Sequence, residues 1–263
     1  MPKITQHTPG MFSWADLATA EPAAAKEFYT SLFGWSYDDQ PAGPNMVYSM
    51  ASIHDGTVAA LFQQREDERQ NGIPSHWTCY FTVSDLEATA AQVPQLGGKL
   101  VAAPFDVWEA GRMCVLADPG SAICALWHPK QRIGATVIGQ HGALTWAELL
   151  TRNVDAAGGF YAKLHGYAVD AMPMPNGTTY TVFKVGDKPA CGLMVMPPEV
   201  PSETPPHWTP YFNVDDCDVA IEKALAGGGR QLSPVIDVTE VGRFATLADP
   251  QGATFAVLQS AGG

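Results

Sequence analysis

The chain is short of cations. Its 263 residues hold 15 Lys and Arg against 27 Asp and Glu, for a net charge of −12. A surface this acidic excludes a nucleic-acid or anionic-membrane partner held by simple electrostatics. Long apolar runs are absent too, so no segment has the roughly 20 apolar residues that a spanning helix needs. The N-terminus, MPKITQHTPG, is polar and lacks the apolar core of a secretory signal. The five cysteines (Cys79, Cys114, Cys124, Cys191, Cys217) are an odd number, contain no CxxC pair and sit mostly in apolar runs. That usage fits reduced thiols in a cytoplasm rather than a disulfide framework. No phosphate-binding GxxxxGK[ST] loop, GxGxxG fingerprint or GxSxG elbow occurs, which removes support for nucleotide or serine-hydrolase chemistry.

What is present is a long repeat. Residues 14 to 34 (WADLATAEPAAAKEFYTSLFG) realign on residues 146 to 166 (WAELLTRNVDAAGGFYAKLHG), with ten of twenty-one positions identical. Further on, His76-Trp77-Thr78 returns as His207-Trp208-Thr209, and DVWEAGRMCVLADP (106 to 119) returns as DVTEVGRFATLADP (237 to 250). A repeat of about 130 residues is a duplicated domain, since solenoid units are far shorter and a unit of this length can bury its own core. A weaker echo links the stretch from Trp14 to Gly34 with that from His76 to Gly98, so the chain divides into four units. Expected domains are 8–130 (units 10–63 and 75–130) and 140–260 (units 142–197 and 206–260).

Each unit opens with an alternating apolar strand, followed by a helix. In the first helix Pro22 takes the first turn, Phe28 and Leu32 share a face, and Gly34 is the stop. In the second, Ser84-x-x-Glu87 has the capping-box pattern. Asp215-Asp216 opens the fourth. Short β-prone segments follow each helix, and the last two are joined by Asp118-Pro119-Gly120 or Asp249-Pro250-Gln251-Gly252, which is hairpin chemistry. The plan of each unit is β-α-β-β-β, an α+β class. Cys114 and Cys124 flank the first hairpin at similar distances, as cross-strand neighbours would.

Four βαβββ units, the Phe-Tyr…Gly helix and the closing GRxxxLxDPxG hairpin resemble the vicinal oxygen chelate superfamily, which includes glyoxalase I, extradiol dioxygenases and bleomycin-binding proteins. The likeness runs from about Gly10 to Gln259 and is closest to the tandem-domain glyoxalase-like members from actinobacteria. It implies that units pair into two open cups of about eight mostly antiparallel strands, helices outside. It also implies a divalent metal in each cup, held by His on the first strand of each unit and Glu on the last. The corresponding positions here are Trp14, Thr78 and Ala125, and Trp146, Thr209 and Ala256. Trp, Thr and Ala cannot replace imidazole and carboxylate, so no cofactor is expected, and a metal enters only as a shifted carboxylate–His site.

Alternation along a strand puts Asp16 on the face of Trp14, and His76 and Tyr80 on that of Thr78. Asp16/His76 and Glu148/His207 are therefore candidate acid–base pairs, candidate ligands of a shifted metal site, or groups with a structural or binding role. Trp14, Thr78, Tyr80, Trp146, Thr209 and Tyr211 are the candidate cup lining, where the indoles either fill the floor or stack on a planar ligand. Arg112 and Arg243, each three residues after a Glu (Glu109, Glu240), either grip an anionic ligand group or pair with that Glu. Three functions compete: a glyoxalase-like lyase or isomerase moving protons in a metal-poor cup, a protein that sequesters a planar metabolite or antibiotic, and a metal-dependent oxygenase. The expected partner is a small molecule, with the protein a cytoplasmic monomer or homodimer.

Overall fold

A computed structural model describes residues 3–43, 46–174 and 177–261. The first unit comprises β1 (Phe12–Thr19), α1 (Pro22–Phe33), β2 (Ser36–Pro41), β3 (Val47–Ile53) and β4 (Gly56–Gln63). A short helix, α2 (Glu66–Gln70), occupies the joint. The second unit is β5 (His76–Thr82), α3 (Leu86–Gln92), β6 (Lys99–Val107), β7 (Gly111–Ala117) and β8 (Ile123–Pro129). The second half repeats the series as β9 (Leu144–Thr151), α4 (Val154–His165), β10 (Ala168–Pro173), β11 (Thr179–Val185) and β12 (Lys188–Val195). It closes with β13 (His207–Asn213), α5 (Cys217–Ala226), β14 (Arg230–Gln231), β15 (Ile236–Val238), β16 (Gly242–Ala248) and β17 (Thr254–Ser260).

Units pair in sequence order. One sheet runs β2-β3-β4-β1-β5-β8-β7-β6 and the other β10-β11-β12-β9-β13-β17-β16-β14, with β15 alongside β16. In both, the first strands of the two units lie antiparallel at the centre, and each is flanked by the last strand of its own unit, in parallel. The fourth unit departs from the plan in one respect, its second strand being broken into β14 and β15.

Helix ends follow local chemistry. Gly34 and Gly166 take the left-handed conformation that stops α1 and α4. Asp216 caps α5 by accepting from the Val219 N–H. In α3 the cap is Asp85, which accepts from the Ala88 N–H, rather than the expected Ser84. Asp85 sits in extended backbone with its carboxylate aimed at the free amides, so it takes the role.

The two halves meet through their helix-bearing faces. α1 of the first half packs on α5 of the second, and α3 on α4, so each of the two large apolar clusters draws on both halves. At the centre Phe81 meets Trp208 at 4.8 Å and Trp77 meets Phe212 at 5.3 Å between ring centroids. The repeated tyrosines of the Phe-Tyr motif cross this seam. Tyr29 donates to Asp249 Oδ2 at 3.1 Å and accepts from the Trp77 indole at 3.1 Å. Its counterpart Tyr161 accepts from the Trp208 indole at 2.9 Å, but its hydroxyl is shared between Cys124 Sγ at 3.8 Å and Asp118, and it gives Asp118 Oδ2 no full hydrogen bond. Both aspartates hold their hairpins through Oδ1, which accepts two backbone N–H groups. Because the helix faces are used up in this contact, the opposite faces of the two sheets are the ones left to form cups.

Candidate functional site

The central strand pair of each sheet sets the cup floor. Register pairs Trp14 with Tyr80, Asp16 with Thr78 and Ala18 with His76, which brings these side chains to one face. In the second half Trp146 faces Tyr211, Glu148 faces Thr209 and Leu150 faces His207.

Asp16 is buried at 3% exposure, and two phenols converge on one of its oxygens: Tyr48 donates to Oδ2 at 2.9 Å and Tyr80 at 2.8 Å. The Trp14 indole in turn donates to the Tyr48 hydroxyl at 3.0 Å. The second half repeats the network. Tyr211 donates to Glu148 Oε1 at 2.9 Å, Tyr180 is hydrogen-bonded to the same carboxylate, and the Trp146 indole donates to Tyr180 at 3.0 Å. Burial pushes Asp16 up to about 6, partly offset by Tyr80, Tyr48 and the nearby His76. Burial likewise raises Glu148, against the opposing effect of Tyr180 and Tyr211. The four phenols are held well above their ordinary range, first by burial and then by the adjacent carboxylate, so they stay protonated donors.

Tyr48 and Tyr180 escaped the sequence reading. They lie 34 residues beyond Trp14 and Trp146 respectively, so carrying the repeat alignment past Gly34 would have paired them. Both are only half-buried, which makes them the rim of each network.

The histidines sit beside the acids without bonding to them. His76 Nδ1 lies 3.0 Å from the Pro74 carbonyl, and His207 Nδ1 lies 2.8 Å from that of Pro205. A carbonyl only accepts, so Nδ1 carries the hydrogen and Nε2 is left as the basic nitrogen. Burial lowers His207, which favours its neutral form. Thr209 is buried with an unpartnered Oγ1, next to Glu148 in the register.

One expectation needs correction. Arg112 and Arg243 project to the helix face, with Cys114 and Ala245, and not into the cups. Arg112 pairs with Glu87 of α3 and with Asp106, its cross-strand neighbour, while Arg243 forms a bidentate pair with Asp218 of α5 at 2.8 and 3.1 Å. Their partners within the fold are therefore not Glu109 and Glu240, because the hairpin register sets Asp106 and Asp237 opposite the arginines and leaves each Glu in the turn. Cys114 and Cys124 do lie on adjacent strands, as diagonal neighbours, since Cys114 faces Leu126 and Cys124 faces Leu116. Both thiols are buried, and burial raises them, Cys114 to about 11.

A divalent ion fits these residues poorly. Among the described residues no group of three His, Cys, Asp or Glu side chains is placed to hold one. Asp16 Oδ2 is already taken by two phenols, and each cup offers no more than one carboxylate and one imidazole Nε2. A hollow of about 310 Å³ beside Gln95, Asp155 and Lys163 lies on the helix side, away from both acids. Among the described residues no helix is long and apolar enough to cross a membrane.

Comparison with known proteins agrees with this architecture. CFP32 of Mycobacterium tuberculosis (strain CDC 1551 / Oshkosh), which carries a glyoxylase label, is 42% identical over 263 residues, covering 99% of both chains. The anthracycline biosynthesis protein DnrV of Streptomyces peucetius is 35% identical over 269 residues, covering 97% of this chain and 95% of its own. The fold is shared with a Mn(II)-bound glyoxalase from Novosphingobium aromaticivorans (TM-score 0.66, 13% identity, 96% of this chain and 83% of that one). It is shared as well with 4-hydroxymandelate synthase from Streptomyces coelicolor, in a mutant form (TM-score 0.63, 13% identity, 98% and 94%). Residues 11–122 match the Glyoxalase/Bleomycin resistance protein/Dioxygenase superfamily and residues 143–258 match a glyoxalase-like domain, so the chain belongs to that superfamily with two such domains in tandem.

Proposed function

We propose that the protein is a small-molecule enzyme that moves a proton on a planar, carbonyl-bearing substrate without a metal, each cup carrying its own carboxylate base. The observation that carries this reading is the buried Trp14–Tyr48–Asp16–Tyr80 network and its repeat at Trp146, Tyr180, Glu148 and Tyr211. A carboxylate poised near 6 is largely ionised at pH 7 yet basic enough to take a proton from carbon. The C–H bond breaks, the proton passes to Asp16, and the electron pair moves onto the carbonyl oxygen. Once neutral, Asp16 holds its two phenols less strongly. Tyr48, on the rim, is then placed to donate to the new oxyanion. On an α-hydroxyketone, the hydroxyl proton passes to the oxyanion through Tyr48 and Asp16 returns its proton to the former carbonyl carbon, which completes an isomerisation. Trp14 and Trp146 supply the wall on which a planar substrate stacks.

The test is hydrogen–deuterium exchange in D2O, followed by NMR, on a panel of aromatic α-hydroxyketones and 1,2-dicarbonyl compounds. Exchange should rise as pH passes through about 6 and then level off, because Asp16 must be ionised while the phenols remain protonated. The double variant Asp16→Asn/Glu148→Gln should lose roughly 10²-fold or more. Equal exchange by wild type and double variant, or none on any compound, would reject the enzyme. Purified protein should also contain well under one Zn, Mn, Fe or Ni per domain after dialysis. A stoichiometric metal whose removal abolishes exchange would overturn the metal-free reading and favour an oxygenase-like site.

The locked Trp14 indole favours capture without turnover as a second reading, since a preset stacking wall serves binding equally well. In that case a planar ligand should quench tryptophan emission with no exchange. Trp14→Ala and Trp146→Ala should each weaken its binding by about 1 kcal/mol beyond the area lost. Unchanged binding in both variants and in the double variant would place the ligand outside the cups.

A further inference from the structure

Two of the three hydrogen bonds have nearly identical lengths in the two networks although their acids differ by one methylene. The Trp-to-Tyr bond is 3.0 Å in both, and the bond from the β5 or β13 tyrosine is 2.8 Å to Asp16 and 2.9 Å to Glu148. A second difference lies next to the first. On the strand parallel to β1, Asp16 is registered with Ala60, whereas on the strand parallel to β9, Glu148 is registered with Gly192. The space above Gly192 is taken. A Cβ there would come within 2.0 Å of the Tyr180 hydroxyl oxygen, 2.7 Å of its ring and 2.9 Å of the Trp146 indole nitrogen. Gly192 has an ordinary backbone conformation, so it is not glycine for the sake of a turn. Its missing side chain is the seat on which Tyr180 rests while it meets the longer acid.

We infer that Gly192 is a positioning residue coupled to Glu148, and that the pairs Asp16/Ala60 and Glu148/Gly192 are two solutions to one requirement, a tyrosine-held proton site of the same design in each cup. This rests on reading the acids as the acid–base groups of their cups, and it adds that the second cup is built to titrate like the first. With Glu148 in place, an added methyl at residue 192 forces Tyr180 off its seat and parts it from both carboxylate and indole. With Asp at 148, the acid withdraws by one methylene and the methyl becomes tolerable, as it is at Ala60.

The experiment uses the full chain labelled with ¹⁵N at its indoles. The Trp14 and Trp146 N–H signals are assigned through Trp14→Phe and Trp146→Phe and followed by NMR from pH 4 to 8. In wild type both signals should move through a single midpoint. Gly192→Ala should displace the Trp146 midpoint by more than about half a pH unit or abolish the movement, leaving Trp14 untouched. Glu148→Asp alone should also displace it, while Glu148→Asp/Gly192→Ala should bring it back close to that of Trp14. If Gly192→Ala is poorly folded, the reverse pair decides: Asp16→Glu should disturb the Trp14 signal and Asp16→Glu/Ala60→Gly should restore it. A Trp146 midpoint indifferent to Gly192→Ala, or double variants displaced by the sum of the single effects, would overturn the coupling. No substrate enters this measurement. A rescued titration without any exchange activity would therefore reject the proposed function and leave the coupling standing.

Discussion

Replacing Asp16 by Asn should make the protein more stable at pH 8 while removing the turnover of the first cup. The carboxylate lies at 3% exposure, with phenols but no cation hydrogen-bonded to it. Burial raises it from 3.8 to about 6. Below pH 3.8 it is protonated in the folded and the unfolded chain alike, and its favourable contribution is complete. Between 3.8 and 6 the unfolded chain releases the proton while the folded chain keeps it, so stability declines as pH rises. Above 6 the folded chain carries the buried charge, at a cost of roughly two pKa units, or about 3 kcal/mol. Asn is neutral throughout, and its carbonyl still accepts from the phenols. Its unpartnered amide takes back part of the gain, leaving a net stabilisation of about 1–3 kcal/mol at pH 8 that vanishes by pH 4. Denaturant unfolding at the two pH values measures it. A variant less stable than wild type at pH 8 would mean that the ionised carboxylate holds the fold together, and the case for a functional cost at this position would fail.

A buried acid that costs stability is also why the site was only half legible in the sequence. The duplication, the order of elements and the strand alternation were open to direct reading, and alternation alone set Trp14, Asp16, Thr78 and Tyr80 on one face. Hairpins and helix stops were readable because their chemistry is local, although the cap of α3 is Asp85 and not Ser84. Tyr48 and Tyr180 were not, since they reach the acids from the far side of β4 and β12, and no local pattern marks a tyrosine that crosses a strand. The same holds for Arg112 and Arg243. Their spacing from Glu109 and Glu240 pointed to a neighbour in sequence, but hairpin register and helix packing delivered Asp106, Glu87 and Asp218 instead. Gly192 could be read only as a break in a strand until the tyrosine above it was placed.

The seam between the halves yields the second large effect. Tyr29→Phe should cost about 2–4 kcal/mol, because one deletion leaves two buried groups unpaired: Asp249 Oδ2, which loses its donor, and the Trp77 indole N–H, which loses its acceptor. Ring packing is retained, since phenylalanine keeps the contacts with Phe33, Trp35, Trp77 and Phe255. Tyr161→Phe removes the acceptor of the Trp208 indole and only a weak contact with Asp118, whose Oδ2 makes no full hydrogen bond, so about 1–2 kcal/mol is expected. The unequal cost of two variants at equivalent places in a duplicated chain is the diagnostic. It separates a specific hydrogen bond across the seam from a general intolerance of core change. Equal costs, or a larger one for Tyr161, would show that the Tyr29–Asp249 bond is not what couples the halves. Because Tyr29 belongs to the first half and Asp249 to the second, its loss should also loosen their shared unfolding. The single denaturation transition expected of wild type should broaden or divide in Tyr29→Phe and stay single in Tyr161→Phe.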